Sequence, residues 1–366
     1  MQSFSHGTLP IGDNSSVGTD LTAWQGFSNL LKKSTDGAAF STRTIVSTYS
    51  LLANSGYYGG VLAANGDIHF IPGNALIGQK VSPTGVVSTY SLAYTLAGGN
   101  VAYWGGVLAP NGDIHFMPVN AEVGQKINAA GVVSTYGLAY TTNTQPYLGG
   151  VMAPNGDIHF VPNRTGVPGQ KISSSGVVST YALVNTTGSA GYLGGVLAPN
   201  GDIHFVPASA VVGQKVSAAG VVSTYNLVYT APSYLGGVLA PNGDIHFVPG
   251  SAPVGQKVSI TGVVSTYSLV YTTTNAYSGG VLAPNGDIHF VPSNATVGQK
   301  IAPDGTVSTY TLAYTNSEAY AGGVLAPNGD IHFVPAFFGG RGQKISTMGA
   351  VPLGPGVCMS AWLNKY

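Results

Sequence analysis

Short apolar segments separated by turn residues run along most of the chain, and one stretch shows the pattern clearly. Tyr234–Ala240 and Ile245–Pro249 are joined by Pro-Asn-Gly-Asp. Pro presets φ and Asn-Gly accepts positive φ, so this turn is a strong hairpin signal. Gly255–Ser259 and Val263–Thr272 follow, rich in β-branched and aromatic residues and without helical periodicity. The stretch predicts four short antiparallel strands.

This four-strand pattern is repeated along the chain. Asn-Gly-Asp-Ile-His, Gly-Gln-Lys and Val-Ser-Thr-Tyr each occur seven times, with steps of about 44 residues. A small sheet of this kind can bury both faces only against neighbouring copies, which is typical of a propeller blade. A parallel β-solenoid would use shorter coils and would not need tight hairpins. The sequence therefore predicts an all-β, seven-bladed β-propeller of four-stranded antiparallel blades.

The three motifs are out of phase, and the offset predicts how the ring closes. The chain enters the pattern at Val-Ser-Thr-Tyr and leaves it at Gly-Gln-Lys. Residues 44–52 therefore form the fourth strand of a blade whose first three strands do not precede it in the chain. The last unit, Gly322–Ser346, has three strands and lacks a fourth strand. Pairing residues 44–52 with Gly342–Ser346 would complete the seventh blade and leave no open ring edge. The predicted propeller spans residues 44–346.

The two terminal segments, residues 1–43 and 347–366, are not repeats. In the N-terminal arm, apolar residues fall on one face of a predicted short amphipathic helix at about residues 20–33. The C-terminal tail is rich in Pro and Gly and ends in aromatic residues. Either segment could dock on another protein or pack against the edge of the ring. The candidate assembly residues are Trp24, Phe27, Leu30, Leu31, Trp362 and Tyr366.

Charge is scarce, and this excludes several classes of protein. Only 7% of the 366 residues are charged, 44% are hydrophobic, and Lys plus Arg equals Asp plus Glu at 13 each. The chain is too hydrophobic for disorder, and no basic surface favours nucleic acid. The single Cys358 excludes an intramolecular disulfide framework. No apolar run is long enough for membrane insertion, and no signal peptide is recognisable at the N-terminus.

The repeated Asp-x-His pairs could suggest metal binding, but one pair per blade places them around a ring and supplies too few ligands for a structural zinc site. We therefore expect no metal and no cofactor. Each Asp is expected to cap its turn, and each His to lie between blades and bond the Ser or Thr of Val-Ser-Thr-Tyr, which resembles networks in other propeller repeats. These structural residues are Asp67, His69, Asp113, His115, Asp157, His159, Asp202, His204, Asp244, His246, Asp287, His289, Asp330 and His332.

The lysine of Gly-Gln-Lys has two interpretations. It can lay its stem over apolar surface with the ammonium in water, or seven copies can form a ring for an anionic ligand. The double glycine that opens each unit should let neighbouring backbones approach closely in the inner strand.

A tyrosine two residues before each double glycine either wedges between blades or lines one mouth of the channel. The connections from strand two to three and from strand four to the next strand one vary most, and in an up-and-down blade both emerge on one face. Variable loops are where binding residues concentrate. The candidate binding residues are Tyr57, Tyr103, Trp104, Tyr147, Asn163, Arg164, Tyr192, Tyr234, Tyr277 and Tyr320.

Catalytic motifs are missing from the sequence. Seven of the acids are the repeated Asp, and only Glu122 and Glu318 belong to the variable connections, in different blades. A glycosidase needs two carboxylates held close together. No Ser–His–Asp order, phosphate-binding loop or nucleophilic Cys motif is present. The sequence therefore predicts that the protein is not an enzyme.

The units Gly-Gly-Val-Leu-Ala-Pro-Asn-Gly-Asp-Ile-His-Phe-Val-Pro, Val-Gly-Gln-Lys and Val-Ser-Thr-Tyr-Ser-Leu-Val-Tyr-Thr resemble a repeat of virion proteins of tailed bacteriophages and some large DNA viruses. The ending Leu363-Asn364-Lys365-Tyr366 is similar to the last residues of several such proteins. The resemblance covers residues 44–346 and implies a fibre, decoration or host-attachment component of a virion. Its expected partners are other virion proteins, a second copy of the chain, and a host-surface glycan or protein. The alternative is a multivalent, lectin-like carbohydrate-binding propeller, in which one weak site per blade gains avidity.

Overall fold

The computed structural model describes residues 44–347, apart from 97, 143, 186–190, 232 and 338. The predicted helix at about 20–33, the arm 1–43, the tail residues 348–366 and the six candidate assembly residues lie outside this part. Within it, the chain forms 28 strands. In chain order they are β1 (Ile45–Tyr49), β2 (Tyr57–Leu62), β3 (Ile68–Pro72), β4 (Gly78–Val81), β5 (Val87–Tyr90), β6 (Tyr103–Leu108), β7 (Ile114–Pro118), β8 (Val123–Ile127), β9 (Val133–Gly137), β10 (Tyr147–Met152), β11 (Ile158–Pro162), β12 (Gly169–Ile172), β13 (Val178–Tyr181), β14 (Tyr192–Leu197), β15 (Ile203–Pro207), β16 (Val212–Val216), β17 (Val222–Asn226), β18 (Tyr234–Leu239), β19 (Ile245–Pro249), β20 (Val254–Val258), β21 (Val264–Ser268), β22 (Tyr277–Leu282), β23 (Ile288–Pro292), β24 (Val297–Ile301), β25 (Val307–Thr311), β26 (Tyr320–Leu325), β27 (Asp330–Pro335) and β28 (Gly342–Ser346).

The strands form seven antiparallel four-stranded sheets, which confirms the predicted propeller. Blades 1 to 6 are consecutive sets of four strands, from β2-β3-β4-β5 to β22-β23-β24-β25, and blade 7 has the order β26-β27-β28-β1. The first strand of each blade contacts the first strands of both neighbouring blades, including β26 with β2. The first strands are therefore innermost, and the ring is closed.

Blade 7 is completed by the N-terminal strand, as the phase offset predicts. β1 pairs antiparallel with β28, from Ile45 opposite Ser346 to Tyr49 opposite Gly342. β1 is shorter than the predicted 44–52, because the backbone N–H groups of Leu52 and Ala53 donate to Oε1 of Gln79, at 2.9 and 2.8 Å, instead of to β28. The chain leaves the sheet there to enter blade 1.

The hydrophobic core lies between the blades. Val196 and Val206 of blade 4, for example, form one buried cluster with Tyr234 and Phe247 of blade 5. Six equivalent clusters occupy the other blade interfaces. Burial of apolar surface between blades thus stabilises the ring as a whole. No helix in the described part of the chain is long and apolar enough to cross a membrane.

Candidate functional site

The repeated Asp and Lys form one ion pair in every blade. In blade 1 the Lys80 ammonium donates to Oδ2 of Asp67 at 2.6 Å, and the seven pairs span 2.5 to 2.7 Å. The backbone N–H of Asp67 donates to Oδ1 of Asn65, so it is the Asn side chain that caps the turn. The interpretation that leaves the ammonium to water alone is corrected: the Lys80 side chain is 33% exposed, but its ammonium pairs with the Asp that lies two residues before the opposing His69.

Each repeated His bonds the tyrosine, and not the Ser or Thr, of Val-Ser-Thr-Tyr. Nδ1 of His69 lies 3.4 Å from the Tyr90 hydroxyl, and the seven distances span 3.1 to 3.4 Å. The Tyr90 ring lies across Gly78, where any Cβ would clash with it. The glycine of Gly-Gln-Lys therefore leaves the space through which the tyrosine reaches the histidine.

Burial and the neighbouring charges set the ionisation of this cluster. Desolvation lowers the pKa of His69 to about 4, the Lys80 ammonium lowers it as well, and the Asp67 carboxylate opposes them. No group of three or more His, Cys, Asp or Glu side chains that could hold a metal ion occurs among the described residues. The cluster joins the second, third and fourth strands of the blade through the His69–Tyr90 contact and the Asp67–Lys80 ion pair.

Sequence reasoning missed the role of the Gln in Gly-Gln-Lys. Gln256 is fully buried, and its Oε1 accepts from the backbone N–H groups of Val228 and Tyr229, at 3.0 and 2.7 Å. Those two residues belong to the connection that leaves the preceding blade. The equivalent Gln in each of the other blades accepts from the corresponding connection. The glutamine thus ties each blade to its neighbour.

The seven tyrosines that open the inner strands are buried, which corrects the expectation that a ring of seven tyrosines lines a binding mouth; of the seven, Tyr320 alone also borders the cavity described below. Each of the seven hydroxyls donates to a backbone carbonyl of its own blade, as Tyr147 does to Pro168 at 3.0 Å. An apolar ring whose polar end is satisfied inside the blade is stable without solvent. The relative exposure is 3% or less for Tyr57, Tyr103, Tyr147, Tyr192, Tyr234, Tyr277 and Tyr320.

A cavity of about 370 Å³, here called the mouth pocket, lies on the ring axis. Inner strands of all seven blades contribute to it, because the residue after each buried tyrosine points into the opening. That position varies in otherwise nearly identical strands, whereas the double glycine beside it does not. It carries, from blade 1 to blade 7, Tyr58, Trp104, Leu148, Leu193, Leu235, Ser278 and Ala321.

This variation makes a symmetric ring carry a one-sided pocket. Tyr58 and Trp104 have ring centroids 4.5 Å apart, and Phe337 from the variable connection of blade 7 meets Tyr58 edge-on at 5.2 Å. Blades 6 and 7 contribute small residues, Ser278 and Ala321, at the same level. Comparing the seven units at this position would have found the asymmetry from the sequence.

Polar residues of the variable connections also line the mouth pocket, so both sets of connections emerge on one face. Asn163 and Arg164 contact Gln145, through Nδ2 to the Gln145 carbonyl at 3.2 Å and Nη2 to Oε1 at 3.1 Å. Asn275 and Glu318 belong to the lining as well. The exposed Glu122 does not.

Three of these lining residues have strained backbones. Gln145, Asn275 and Glu318 have φ of 57°, 50° and 47°, and in the described part of the chain they are the non-glycine residues with positive φ. Such conformations cost about 1 to 3 kcal/mol each and cluster at functional sites. Their common location in the pocket supports a functional role for this mouth.

Two lining side chains, Tyr58 and Asn163, each have a buried polar atom without a hydrogen-bonding partner in the described part of the protein. These atoms are the hydroxyl of Tyr58 and Oδ1 of Asn163, on side chains that are each 1% exposed. A buried unsatisfied polar atom costs about 1 to 3 kcal/mol.

Comparison with known proteins supports the fold. No protein-family model and no curated protein sequence matches the chain. A streptogramin B lyase structure is similar with a TM-score of 0.72 and 22% identity, covering 82% of this chain and 97% of the lyase. A catalytically inactive virginiamycin B lyase from Staphylococcus aureus, with quinupristin, has a TM-score of 0.72 and 18% identity, covering 83% and 99%. The extracellular domain of a putative one component system from B. thetaiotaomicron has a TM-score of 0.60 and 10% identity, covering 84% of this chain and 40% of that one.

These similarities correct the prediction that the protein is not an enzyme. Streptogramin B lyases are enzymes, and they match more than four fifths of this chain. The prediction was wrong because it required a recognisable catalytic motif, although a propeller can build a site from residues far apart in the sequence. At these identities, the comparisons show that the chain shares the seven-bladed propeller fold.

Proposed function

We propose that this propeller is a binding protein and that its mouth pocket takes a saccharide presented on a surface. The observation that carries the proposal is the one-sided pocket: aromatic side chains on blades 1 and 2, small ones on blades 6 and 7, and a rim of amides and charges. Ligand pockets are mostly apolar with a few polar groups that fix orientation. A sugar ring offers an apolar face to Trp104 and hydroxyls to Asn163 and Arg164.

The first test substitutes Trp104 by Leu, the residue that blades 3, 4 and 5 carry at this position. We expect Trp104→Leu to fold with an unchanged melting temperature and to lose at least tenfold in glycan affinity, since the aromatic face is removed. Binding would be measured on a glycan array and then by calorimetry with the best ligand.

The matched control is Val86→Thr, which reproduces Thr306 of blade 6 in the turn that precedes the outer strand. This variant should bind like the unmodified protein. If no glycan binds, or if both variants bind equally well, the mouth pocket is not a saccharide site.

We further propose, from the repeat resemblance, that the protein acts as part of a virion, with its variable face toward the host surface. Its partners would then be other virion proteins or further copies of itself. A mass-spectrometric inventory of purified particles tests this role, because a virion component should appear there in stoichiometric amounts. Absence of the chain from such particles would exclude it.

A second candidate function is a lyase-type reaction at the same mouth. The similarity to streptogramin B lyases favours it, and Glu318 supplies a carboxylate in the pocket that could act as a general base. Incubation with virginiamycin B, followed by chromatography, would show whether a product forms. Product formation that Glu318→Gln abolishes would support this candidate over simple binding.

A further inference from the structure

We infer that the mouth pocket contains a subsite for an organic ammonium group, formed by Trp104, Phe337 and Glu318. The inference goes beyond saccharide binding and shares only the pocket with it. It rests on the arrangement of the aromatic rings and on the position of the carboxylate.

The aromatic part of the subsite is a cluster of three rings at two angles. Tyr58 is tilted by 31° to Trp104 and stands at 79° to Phe337. The Tyr58 ring is buried, whereas Trp104 is half-buried and Phe337 is 43% exposed, so these two present ring surface to the pocket. Ring faces carry partial negative charge and attract cations, with Trp the strongest. Quaternary ammonium groups are recognised by rings in this way.

The carboxylate of Glu318 adds a formal negative charge beside these rings. Burial raises the pKa of the Tyr58 hydroxyl, and the charge of Glu318 raises it further, so the carboxylate acts on the aromatic cluster. Its backbone N–H donates to Oδ1 of Asn294 at 2.8 Å, which holds the strained residue in place. Glu318 is not part of a repeated ion pair, unlike the seven Asp.

Among the described residues that line the pocket, Arg164 is the cationic one, whereas the exposed Arg341, in the same blade 7 connection as Phe337, is not part of the lining. In the described part, all seven Lys pair with the repeated Asp of their own blades. Arg164 belongs to the connection of blade 3 and bonds Gln145, whereas Glu318 lies before the inner strand of blade 7. The pocket therefore has a negative and aromatic side at blades 7, 1 and 2, and a positive side at blade 3.

The test compares choline with 3,3-dimethylbutan-1-ol, which has the same shape but no charge. Binding to the full chain would be measured by isothermal titration calorimetry at pH 7.5. We expect choline to bind about tenfold more tightly than the neutral alcohol, because only the ammonium gains cation–π and carboxylate attraction. The preference for choline should weaken at high salt, because dissolved ions screen the attraction between its ammonium group and the Glu318 carboxylate.

Two variants and one control locate the subsite. Trp104→Leu and Glu318→Gln should each lower choline affinity severalfold and leave the weak affinity for the alcohol unchanged or nearly so. Glu122→Gln, which removes an exposed carboxylate outside the pocket, should have no effect. Melting temperatures identify any variant that fails to fold, and the conservative Trp104→Phe should restore part of the preference.

Equal affinities for choline and the alcohol, or a choline preference that survives both variants, would overturn the subsite. Glycan binding that persists in either case leaves the proposed function standing. Conversely, choline selectivity without any glycan binding would refute the saccharide proposal and keep the subsite.

Discussion

At the scale of single residues, each blade combines an ion pair with a neutral hydrogen-bonded pair. His246 lies opposite Lys257 in neighbouring strands, and the ammonium bonds Asp244 while the imidazole contacts Tyr267. The positive charge beside the ring discourages protonation of the histidine. Desolvation, helped by Lys257 and opposed by Asp244, lowers the pKa of His246 to about 4.

This arrangement predicts that the protein loses stability in mild acid. Histidines 69, 115, 159, 246, 289 and 332 all have a folded pKa of about 4, against about 6.5 when unfolded. Their contribution is fully present above pH 6.5 and is lost as the pH falls toward 4, since the unfolded chain binds protons first. Each pKa unit between the folded and the unfolded state contributes about 1.4 kcal/mol to the free energy of unfolding. Chemical denaturation at pH 7.5 and 5.0 should show a marked drop at pH 5.0.

The carboxylates extend the same trend to lower pH. Desolvation raises the pKa of Asp157, but its hydrogen bonds with Lys171 and Ser174 outweigh this, so the pKa lies below its usual value. Asp groups of this kind lose their contribution only as the pH falls below about 4. Greater stability at pH 5.0 than at pH 7.5 would mean that the histidines are protonated in the fold and pair with the Asp.

At the scale of the strand, the double glycine of the inner strand β18 makes two close contacts with the neighbouring blades. A Cβ on Gly236 would lie 2.9 Å from Cα of Gly279 in the next blade. A Cβ on Gly237 would lie 2.6 Å from Cγ2 of Val196 and 3.0 Å from Cγ2 of Val206, in the preceding blade. The inner strands can approach this closely because neither glycine carries a side chain.

Gly237→Ala should therefore destabilise the propeller by about 1 to 3 kcal/mol, because the added methyl overpacks the blade interface. The control is Gly137→Ala on outer strand β9, where φ is not positive and nothing lies within 4 Å of the new Cβ. The control should change stability by less than about 1 kcal/mol. Equal effects of the two substitutions, measured by thermal and urea unfolding, would contradict the close packing.

At the scale of the whole molecule, the closed ring depends on a pairing between strands almost 300 residues apart. β1 covers the edge of β28, and the Tyr49 hydroxyl lies 3.1 Å from Nδ1 of His332. Without β1, blade 7 would have three strands and an open edge of unpaired backbone groups.

Removal of residues 1–52 should lower the melting temperature strongly and cause concentration-dependent aggregation. Removal of residues 1–42 keeps β1 and should leave unfolding close to that of the full chain. Differential scanning calorimetry with light scattering compares the two truncated proteins. If the protein without residues 1–52 melts like the full chain, the pairing of β1 with β28 does not hold the ring closed.

The blade count, the strand order and the pairing of β1 with β28 were predictable from the sequence, because turn signals, strand periodicity and repeat phase can be read along the chain. The hydrogen-bonding partners were less predictable. His69 was expected to bond Ser or Thr and instead bonds Tyr90, because strand register and the empty space at Gly78 decide which hydroxyl arrives.

The repeat and its phase are enough to predict a seven-bladed ring closed by the N-terminal strand, since a repeat can bury its faces only against copies of itself. The folded ring was needed to show that the seven repeated tyrosines turn into the blades and that the next residue faces the opening. It also brought Tyr58, Trp104, Phe337 and Glu318 into one pocket. The physical reason is that closure of the ring places the first and last blades side by side, a contact that no local pattern contains.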